Sequence, residues 1–423
     1  MAQHPLAASA GARASTDPTK SQATWRAGKV RSYYTQFAPL HHVCEWLARQ
    51  GDATLADYEI ALFRGAENAV VKRFGHFTSA DHLREAFQAG IAEKIDIGPQ
   101  APGGNANAAR SLLAFDLDAD DYEQVYSEGE PANALQRGLM VLRPAMWRVM
   151  VLNARVLDCY LESVVFAEPA VADAAPAGDA MEVDDVAPAE MGAPAPVAPA
   201  QPPPAYRSLA VFSGRRGIHL WIRDRFRDAY NAEEVLEMVA GIKRLRTALG
   251  AAEFYNVLAR QTRSDAHEAL LAKAEAYARE ALCAPALWNR GPDTTEYLER
   301  ELSLLRGRVV EPAADYFVEL QQDDDAGAAF WRCAGLLLLA PRIDEKVTTG
   351  ANHLLKCPFS LHAASLCVST PFDLYGEDTD DPRYLDAVCI PLDDLFAPSA
   401  ARKSLAQRKL TAAIDWFQHA ALW

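Results

Sequence analysis

Phe212-Ser213-Gly214-Arg215-Arg216-Gly217-Ile218-His219-Leu220-Trp221 reads as a strand, a tight turn and a second strand. The apolar run from Leu209 to Phe212 leads in, and the alternation Ile218-His219-Leu220-Trp221-Ile222 leads out, the pattern of two paired strands. Gly214 and Gly217 supply the turn, Arg215 and Arg216 lie between them, and Ser213 and His219 flank it with a hydroxyl and an imidazole. Free backbone N–H groups beside guanidinium forks suit an oligophosphate. A hairpin with a solvated basic tip has the same composition, so the choice between the two rests on the rest of the chain.

Outward from the turn, the next informative stretch is Ala114-Phe115-Asp116-Leu117-Asp118-Ala119-Asp120-Asp121-Tyr122. Residues two apart in a strand share a face, so Asp116 and Asp118 point the same way. Two carboxylates about 4 Å apart repel by about 4 kcal/mol at an effective dielectric of 20, so one stays protonated or a hard cation sits between them. With a triphosphate site nearby the cation is the more useful answer, since paired Mg²⁺ or Mn²⁺ ions activate a hydroxyl and stabilise departing pyrophosphate. An EF-hand calcium loop is excluded, because its sixth position would be Asp121 where glycine is needed and its twelfth would be Ser127 where glutamate is needed. A solvated acidic turn is the plainer alternative. A third segment offers Arg342-Ile343-Asp344-Glu345-Lys346 and then Asn352-His353-Leu354-Leu355-Lys356-Cys357-Pro358-Phe359-Ser360-Leu361-His362. Asp344 can complete a carboxylate triad, while Lys356 and His362 can reach phosphate oxygens; singly, each is as readily a surface or core residue.

The chain has 423 residues, half of them hydrophobic and 23% charged, enough for one large or two ordinary domains with a packed core. A formal net charge of −15 argues against a protein that coats nucleic acid. Much of that acid is local: residues 156–206 hold no lysine or arginine, so the remaining body is only mildly acidic. The 7 cysteines, Cys44, Cys159, Cys283, Cys333, Cys357, Cys367 and Cys389, form no Cys-x-x-Cys pair, and neither a disulfide framework nor a cysteine zinc site is legible. The N-terminus lacks a secretory pattern and no run reaches the length of a membrane span, so an intracellular, soluble protein is expected.

Residues 1–24 are expected to be a disordered tail, and helix is expected from Val30, with Tyr33, Phe37, Val43, Trp46 and Leu47 buried. A hairpin is expected over Tyr58 to Phe77, turning at Gly65 to Asn68, then helix over Ala80 to Ala92 and strands at Lys94 to Gly98 and Ser111 to Leu117. Pro131 to about Phe166 reads as mostly helical, and an acidic Ala/Pro-rich stretch at 166–205 as a disordered insert within one domain rather than a boundary. Doubling a flexible loop costs only about 0.6 kcal/mol, so a core can bear the interruption. Val235 to Leu249 reads as one amphipathic helix, Asp265 with Glu268 as a capping box, about 255–330 as a helical subdomain with Phe330 to Leu339 buried, Leu366 to Ser369 as strand, and 404–422 as the closing helix. The fold class expected is α/β (α+β).

Taken in order, Phe115-Asp116-Leu117-Asp118 with Asp121-Tyr122, Ser213-Gly214-Arg215-Arg216-Gly217-Ile218-His219, and Asp344 followed by Lys356-Cys357-Pro358-Phe359-Ser360-Leu361-His362 resemble the motifs of the small, catalytic subunit of eukaryotic and archaeal DNA primase. Lys72-Arg73-Phe74, Lys94-Ile95-Asp96-Ile97-Gly98 and Lys403-Ser404-Leu405 extend the resemblance over about Val30 to Leu422. It implies an archaeo-eukaryotic primase catalytic fold with an accessory helical subdomain. By the same likeness Asp116, Asp118 and Asp344 would hold two Mg²⁺ or Mn²⁺ ions, and Ser213, Arg215, Arg216, His219, Lys356 and His362 would bind the incoming triphosphate. Arg73, Lys94 and Asp96 match residues near the nucleotide.

The resemblance further implies synthesis of short RNA primers on a single-stranded DNA template from ribonucleoside triphosphates. The implied partners are a large subunit carrying an iron–sulfur cluster and a DNA polymerase alpha complex. The setting would be the nucleus for a cellular protein or a viral replication site otherwise. Two rivals share the motifs: a primase-polymerase of repair or damage bypass, and a catalytically inactive scaffold subunit. One departure stands out. The family commonly carries a cysteine-rich zinc motif after the carboxylate strand, whereas Tyr122 to Leu157 has no cysteine, so no structural zinc is expected.

Overall fold

The computed structural model describes residues 18–50, 54–64, 69–72, 77–90, 92–101, 109–122, 142, 144–167, 207–226, 230, 232–261, 265–284, 292–307, 325–350 and 353–421. Within them, eight strands form two antiparallel sheets. The first has the order β2-β1-β3-β7, from β1 (Tyr58–Arg64), β2 (Ala69–Lys72), β3 (Lys94–Gln100) and β7 (Leu355–Lys356). The second has the order β4-β6-β5-β8, from β4 (Leu112–Asp118), β5 (Ser208–Phe212), β6 (Gly217–Phe226) and β8 (Thr370–Phe372). Helices and antiparallel sheets thus make the mixed fold that the sequence implies.

One core runs from the first sheet to the inner face of the second. Helices α1 (Pro18–Gln36), α2 (Leu40–Ala48) and α3 (Ala80–Gln88) contribute Tyr33, Tyr34, Trp46 and Phe87 to it, and the C-terminal helix Ala400–Ala421 adds Leu410 and Phe417. Val211 and Trp221 reach the same core from β5 and β6, while the alternate residues Ala210, Phe212, Ile218 and Leu220 face the other way. That second face is covered by α4 (Pro144–Tyr160). α4 is apolar nearly all round because it serves two cores: Trp147, Met150, Val151 and Leu157 pack on the sheet, and Leu152, Val156 and Cys159 pack on the helical subdomain. The subdomain core is formed chiefly by α6 (Ala248–Arg260), α7 (Asp265–Cys283), α8 (Pro292–Gly307) and α9 (Asp325–Leu338), with Trp331 wholly buried.

A clamp joins these layers. Arg155 of α4, 4% exposed, pairs with Asp380 at 3.0 Å and donates to the carbonyls of Leu374 at 2.7 Å and Gly376 at 3.1 Å. Lys273 of α7 grips the same Asp380.

Several local expectations are corrected. Pro18 to Thr24 belong to α1, because Pro18 suits a first helical turn and the residues after it include no glycine or proline before Gly28. The single helix expected over Val235 to Leu249 is two, α5 (Ala232–Arg244) and α6, since Thr247 is extended and its side chain accepts the Gly250 N–H to start the second. Asp265 lies in the first turn of α7 and not at its cap. The strand expected at Leu366 to Ser369 begins instead at Thr370, because Leu366 has φ 54° and its N–H closes a turn on the His362 carbonyl. The closing helix starts at Ala400, four residues before the expected bound. The turn expected at 65–68 and nearly all of the insert expected at 166–205 lie outside the described residues. No helix among the described residues is long and apolar enough to cross a membrane.

Candidate active site

β4 and β6 pair with Asp116 opposite His219 and Asp118 opposite Gly217. Leu113, Phe115 and Leu117 alternate with Ala114, Asp116 and Asp118, so the apolar set enters the core beneath α4 and the carboxylates share the face that looks toward the first sheet. Across that cleft β3 and β7 pair Asp96 with Lys356. Asp96 alternates with the core residues Ile95 and Ile97 and is itself buried, with Lys94 at 2.7 Å.

The glycine turn closes the end of the β5–β6 hairpin. The Gly217 N–H donates to Ser213 Oγ at 3.0 Å, and the Ser213 N–H to the Gly217 carbonyl at 2.8 Å. Gly214 has φ +82°, and a Cβ there would stand 2.7 Å from the Cys367 carbonyl oxygen, so only glycine fits against that segment without a shift. Ser365 Oγ donates to the Gly214 carbonyl at 2.6 Å, and Lys356 Nζ donates to the Ser213 carbonyl at 2.7 Å. His362 lies on the same segment as Ser365, its Nδ1 accepting the N–H groups of Ala364 at 3.2 Å and Ser365 at 3.3 Å. That assignment puts the ring proton on Nε2, a donor free to meet an anion.

Asp344 follows the helical subdomain in the chain. It caps α10 (Glu345–Thr349), Oδ1 accepting the Lys346 N–H at 3.0 Å, and its own N–H donates to the Asp116 carbonyl at 2.9 Å. Thr348 Oγ1 adds a bond to the Ala114 carbonyl at 3.2 Å. The buried Tyr122 hydroxyl, just beyond β4, accepts the Arg342 N–H at 2.7 Å and so holds the chain two residues before Asp344.

The charges of this cleft disturb one another strongly. Burial, then the neighbouring charge of Asp118, pushes the Asp116 carboxyl up to about 7, with Asp344 adding to the rise. Burial likewise lowers Lys356 to about 7, helped by Lys94. His219 is driven well below the usual imidazole range by burial and then by Lys356, and His362 falls to about 2 for the same two reasons, so both rings are neutral at pH 7. His219 Nε2 lies 3.6 Å from Asp116 Oδ1, and its Nδ1 is buried without a hydrogen-bond partner.

Two carboxylates of β4 thus share one face of a sheet, Asp344 is tied by its backbone to the same strand, and a hard divalent cation is the group that such donors suit. The raised carboxyl of Asp116 reflects burial first and the negative charge of its neighbours second. Among the described residues, however, no three His, Cys, Asp or Glu side chains converge as a metal cage. Arg216 explains part of this, since its Nε stands 3.7 Å from Asp118 and its terminal nitrogen contacts Asp120. The Asp344 carboxylate is similarly engaged in capping its own helix. A cation would compete with an arginine at one ligand and with a helix cap at another.

The comparisons with known proteins agree on one family. The profile described as the DNA primase small subunit matches residues 205–374. The DNA primase small subunit of Drosophila melanogaster is 23% identical over 409 residues, covering 88% of this chain and 82% of that protein. The protein of the same name from Caenorhabditis elegans is 22% identical over 418 residues, covering 86% and 87%. The chain is similar to DNA primase small subunits over most of its length.

The matched stretch contains the glycine turn, Asp344, Lys356 and His362, while Asp116 and Asp118 join through the β4–β6 ladder. Ser213, Arg215, Arg216, His219, Lys356 and His362 gather at one end of that ladder, Lys94 and Asp96 stand across the cleft, and Arg73 lies outside the described residues. Arg216 faces the carboxylates in place of open solvent. Tyr122 is quoted in the sequence motif but its hold on Arg342 is not legible there, and Ser365 carries no signal of its own; both contacts depend on tertiary approach across more than a hundred positions.

Proposed function

We propose that this chain is a primase small subunit, a catalytic nucleotidyltransferase that makes short RNA primers on single-stranded DNA. The observation that carries the reading is the backbone-tied approach of Asp344 to the Asp116–Asp118 strand, one β-register away from a glycine turn backed by Lys356 and His362. Asp116, Asp118 and Asp344 would hold Mg²⁺ or Mn²⁺. Such ions, when bound, lower the pKa of a primer 3′-hydroxyl and neutralise the charge of departing pyrophosphate.

The remaining work falls to the chain's own groups. Lys356 is held by the Ser213 carbonyl at the base of the turn, and a phosphate arriving there favours its ammonium form. His362 offers Nε2–H without adding charge, and Arg215 supplies a fixed cation for the β- and γ-phosphates. Arg216, which faces Asp118 and Asp120, would supply a second if displaced from them. The buried Lys94–Asp96 pair lines the opposite wall, where a ribose would pass. Sequence need not be read by the protein, because pairing with the template supplies it.

Ribonucleoside triphosphates and a DNA template are the substrates of this reading, a large subunit with an iron–sulfur cluster and a DNA polymerase alpha complex the partners, and a nucleus or viral replication site the setting. The test is primer synthesis on poly-dT with ATP. Activity lost in the Asp116→Ala/Asp118→Ala double variant supports it, and full activity in that variant refutes the metal assignment. A marked preference for dATP over ATP would favour a repair primase-polymerase instead.

A further inference from the structure

Cys367 and Cys389, 22 positions apart, are brought together by the fold with their sulfurs 3.9 Å apart. Cys367 is buried and Cys389 half-buried. Neither is in the nucleotide site, yet Cys367 forms its floor. The Cys367 carbonyl accepts the His362 N–H at 2.9 Å and stands where a Cβ on Gly214 would clash, and its N–H reaches Ser365 Oγ at 3.3 Å, the hydroxyl that also holds the Gly214 carbonyl. Cys389 follows the short helix α11 (Leu385–Val388) and is fixed by its own N–H to Leu385 at 2.8 Å. The two segments are stitched by the Val368 N–H to the Ile390 carbonyl at 3.0 Å and by the Cys367–Pro391 bridge.

We propose that Cys367 and Cys389 are a reversible thiol–disulfide pair whose closure loosens the phosphate-binding turn. A sulfur–sulfur bond is about 2.05 Å long, so the two atoms must approach by roughly 2 Å. Both flanking segments are hydrogen-bonded to each other, so the movement passes into the Cys367 backbone and from there to Gly214 and His362. Cys389, the less buried of the two, reacts first. Its thiol is lowered by the hydrogen bond with Cys367 and by Lys409, whereas burial, Asp386 and Asp394 act the other way.

The oxidant is a small-molecule disulfide such as oxidised glutathione. Cys389 thiolate attacks one sulfur of that disulfide, and the other sulfur leaves as a thiolate. Cys367 then loses its proton to solvent and attacks Cys389 Sγ, expelling the second small thiol. Two protein thiols have lost two electrons and two protons, and one small disulfide has become two thiols.

The consequence for nucleotide affinity rests on the proposed function, but bond formation and turn movement do not. The purified full chain would be equilibrated across ratios of reduced to oxidised glutathione, alkylated, and mapped by mass spectrometry, with hydrogen exchange followed over residues 208–219. The expected result is a Cys367–Cys389 disulfide that reverses with excess thiol, faster exchange through the turn, and several-fold weaker binding of a fluorescent ATP analogue. Cys389→Ser should abolish all three responses while leaving primer synthesis under reducing conditions unchanged. A mixed disulfide that stops at Cys389, or a closed disulfide with unaltered exchange over 208–219, overturns the proposal. Failure of the reduced chain to bind the analogue counts against the proposed function, and the mapping and exchange still decide this one.

Discussion

The backbone N–H of Asp344 donates to the carbonyl oxygen of Asp116 at 2.9 Å, so the third carboxylate is hung on the strand that carries the first. The Asp344 side chain has a separate task in capping α10. Asparagine caps a helix about as well as aspartate, so Asp344→Asn should keep both bonds and melt within a degree or so of the parent, an effect of only a few tenths of a kcal/mol. Mn²⁺ binding, followed by electron paramagnetic resonance, should weaken clearly. Primer synthesis should fall on the order of a hundredfold, the scale of losing one preorganised charged group. Unchanged Mn²⁺ affinity would remove Asp344 from the ligand set.

Lys356 gives a pH dependence with a definite sign. In the free chain its ammonium titrates at about 7, and a bound triphosphate raises that value. Above pH 7 binding must therefore take up a proton, and affinity should fall as pH rises, by at most about tenfold per unit. Calorimetry in buffers of different ionisation enthalpy would read the uptake directly. Lys356→Met should bind more weakly at pH 7 and show a flatter profile between pH 7 and 9; an identical slope would assign the proton elsewhere.

Gly214→Ala should damage the turn from within. A side chain there is forced into the left-handed region and against the Cys367 carbonyl, at a cost of about 1 to 3 kcal/mol. Urea unfolding should report that loss, and the KM for ATP should rise with it. Gly28→Ala is the control, because a Cβ at that position meets nothing within 4 Å and helix Pro18–Gln36 should gain about 0.5 to 1 kcal/mol.

The Arg155 clamp predicts a stability defect remote from the chemistry. Arg155→Met leaves Asp380 with Lys273 alone and two carbonyls without their donor, and breaking such a buried pair costs about 3 to 5 kcal/mol. The denaturant midpoint should drop by that much, while ATP affinity at low temperature should hold. A double-mutant cycle with Asp380→Asn would isolate the pairwise part.

What the sequence discloses of this molecule follows what is local. Alternation along Leu113 to Asp118 and Ile218 to Ile222 suffices to place carboxylates and imidazole on one face, because strand period is a property of the backbone. The break between α5 and α6 was hidden, since Leu245 and Leu249 continue the helical period straight through a threonine cap. Leu236 fits that period too, yet stands 59% exposed, because the helix face available for packing is narrower than its apolar stripe. In the site, Asp344 is legible as a carboxylate but its approach to Asp116 is not, and the turn of Arg216 toward Asp118 is an electrostatic outcome that spacing cannot express. Cys367 and Cys389 show the same limit: their contact is made by a bridge between Cys367 and Pro391 that no local pattern announces.

The ladder between β4 and β6 joins partners roughly a hundred positions apart, and contacts of that span form late and slowly. Residues 205–374, expressed alone, would leave β6 without β4, an open strand edge ready to pair with another copy. Two polypeptides, one ending at 167 and one beginning at 207, would instead each carry half of the missing partnership. Their reassembly would restore the carboxylates to the basic turn, so that recovered catalysis becomes a reporter of strand docking, and the molecule a natural candidate for a split enzyme.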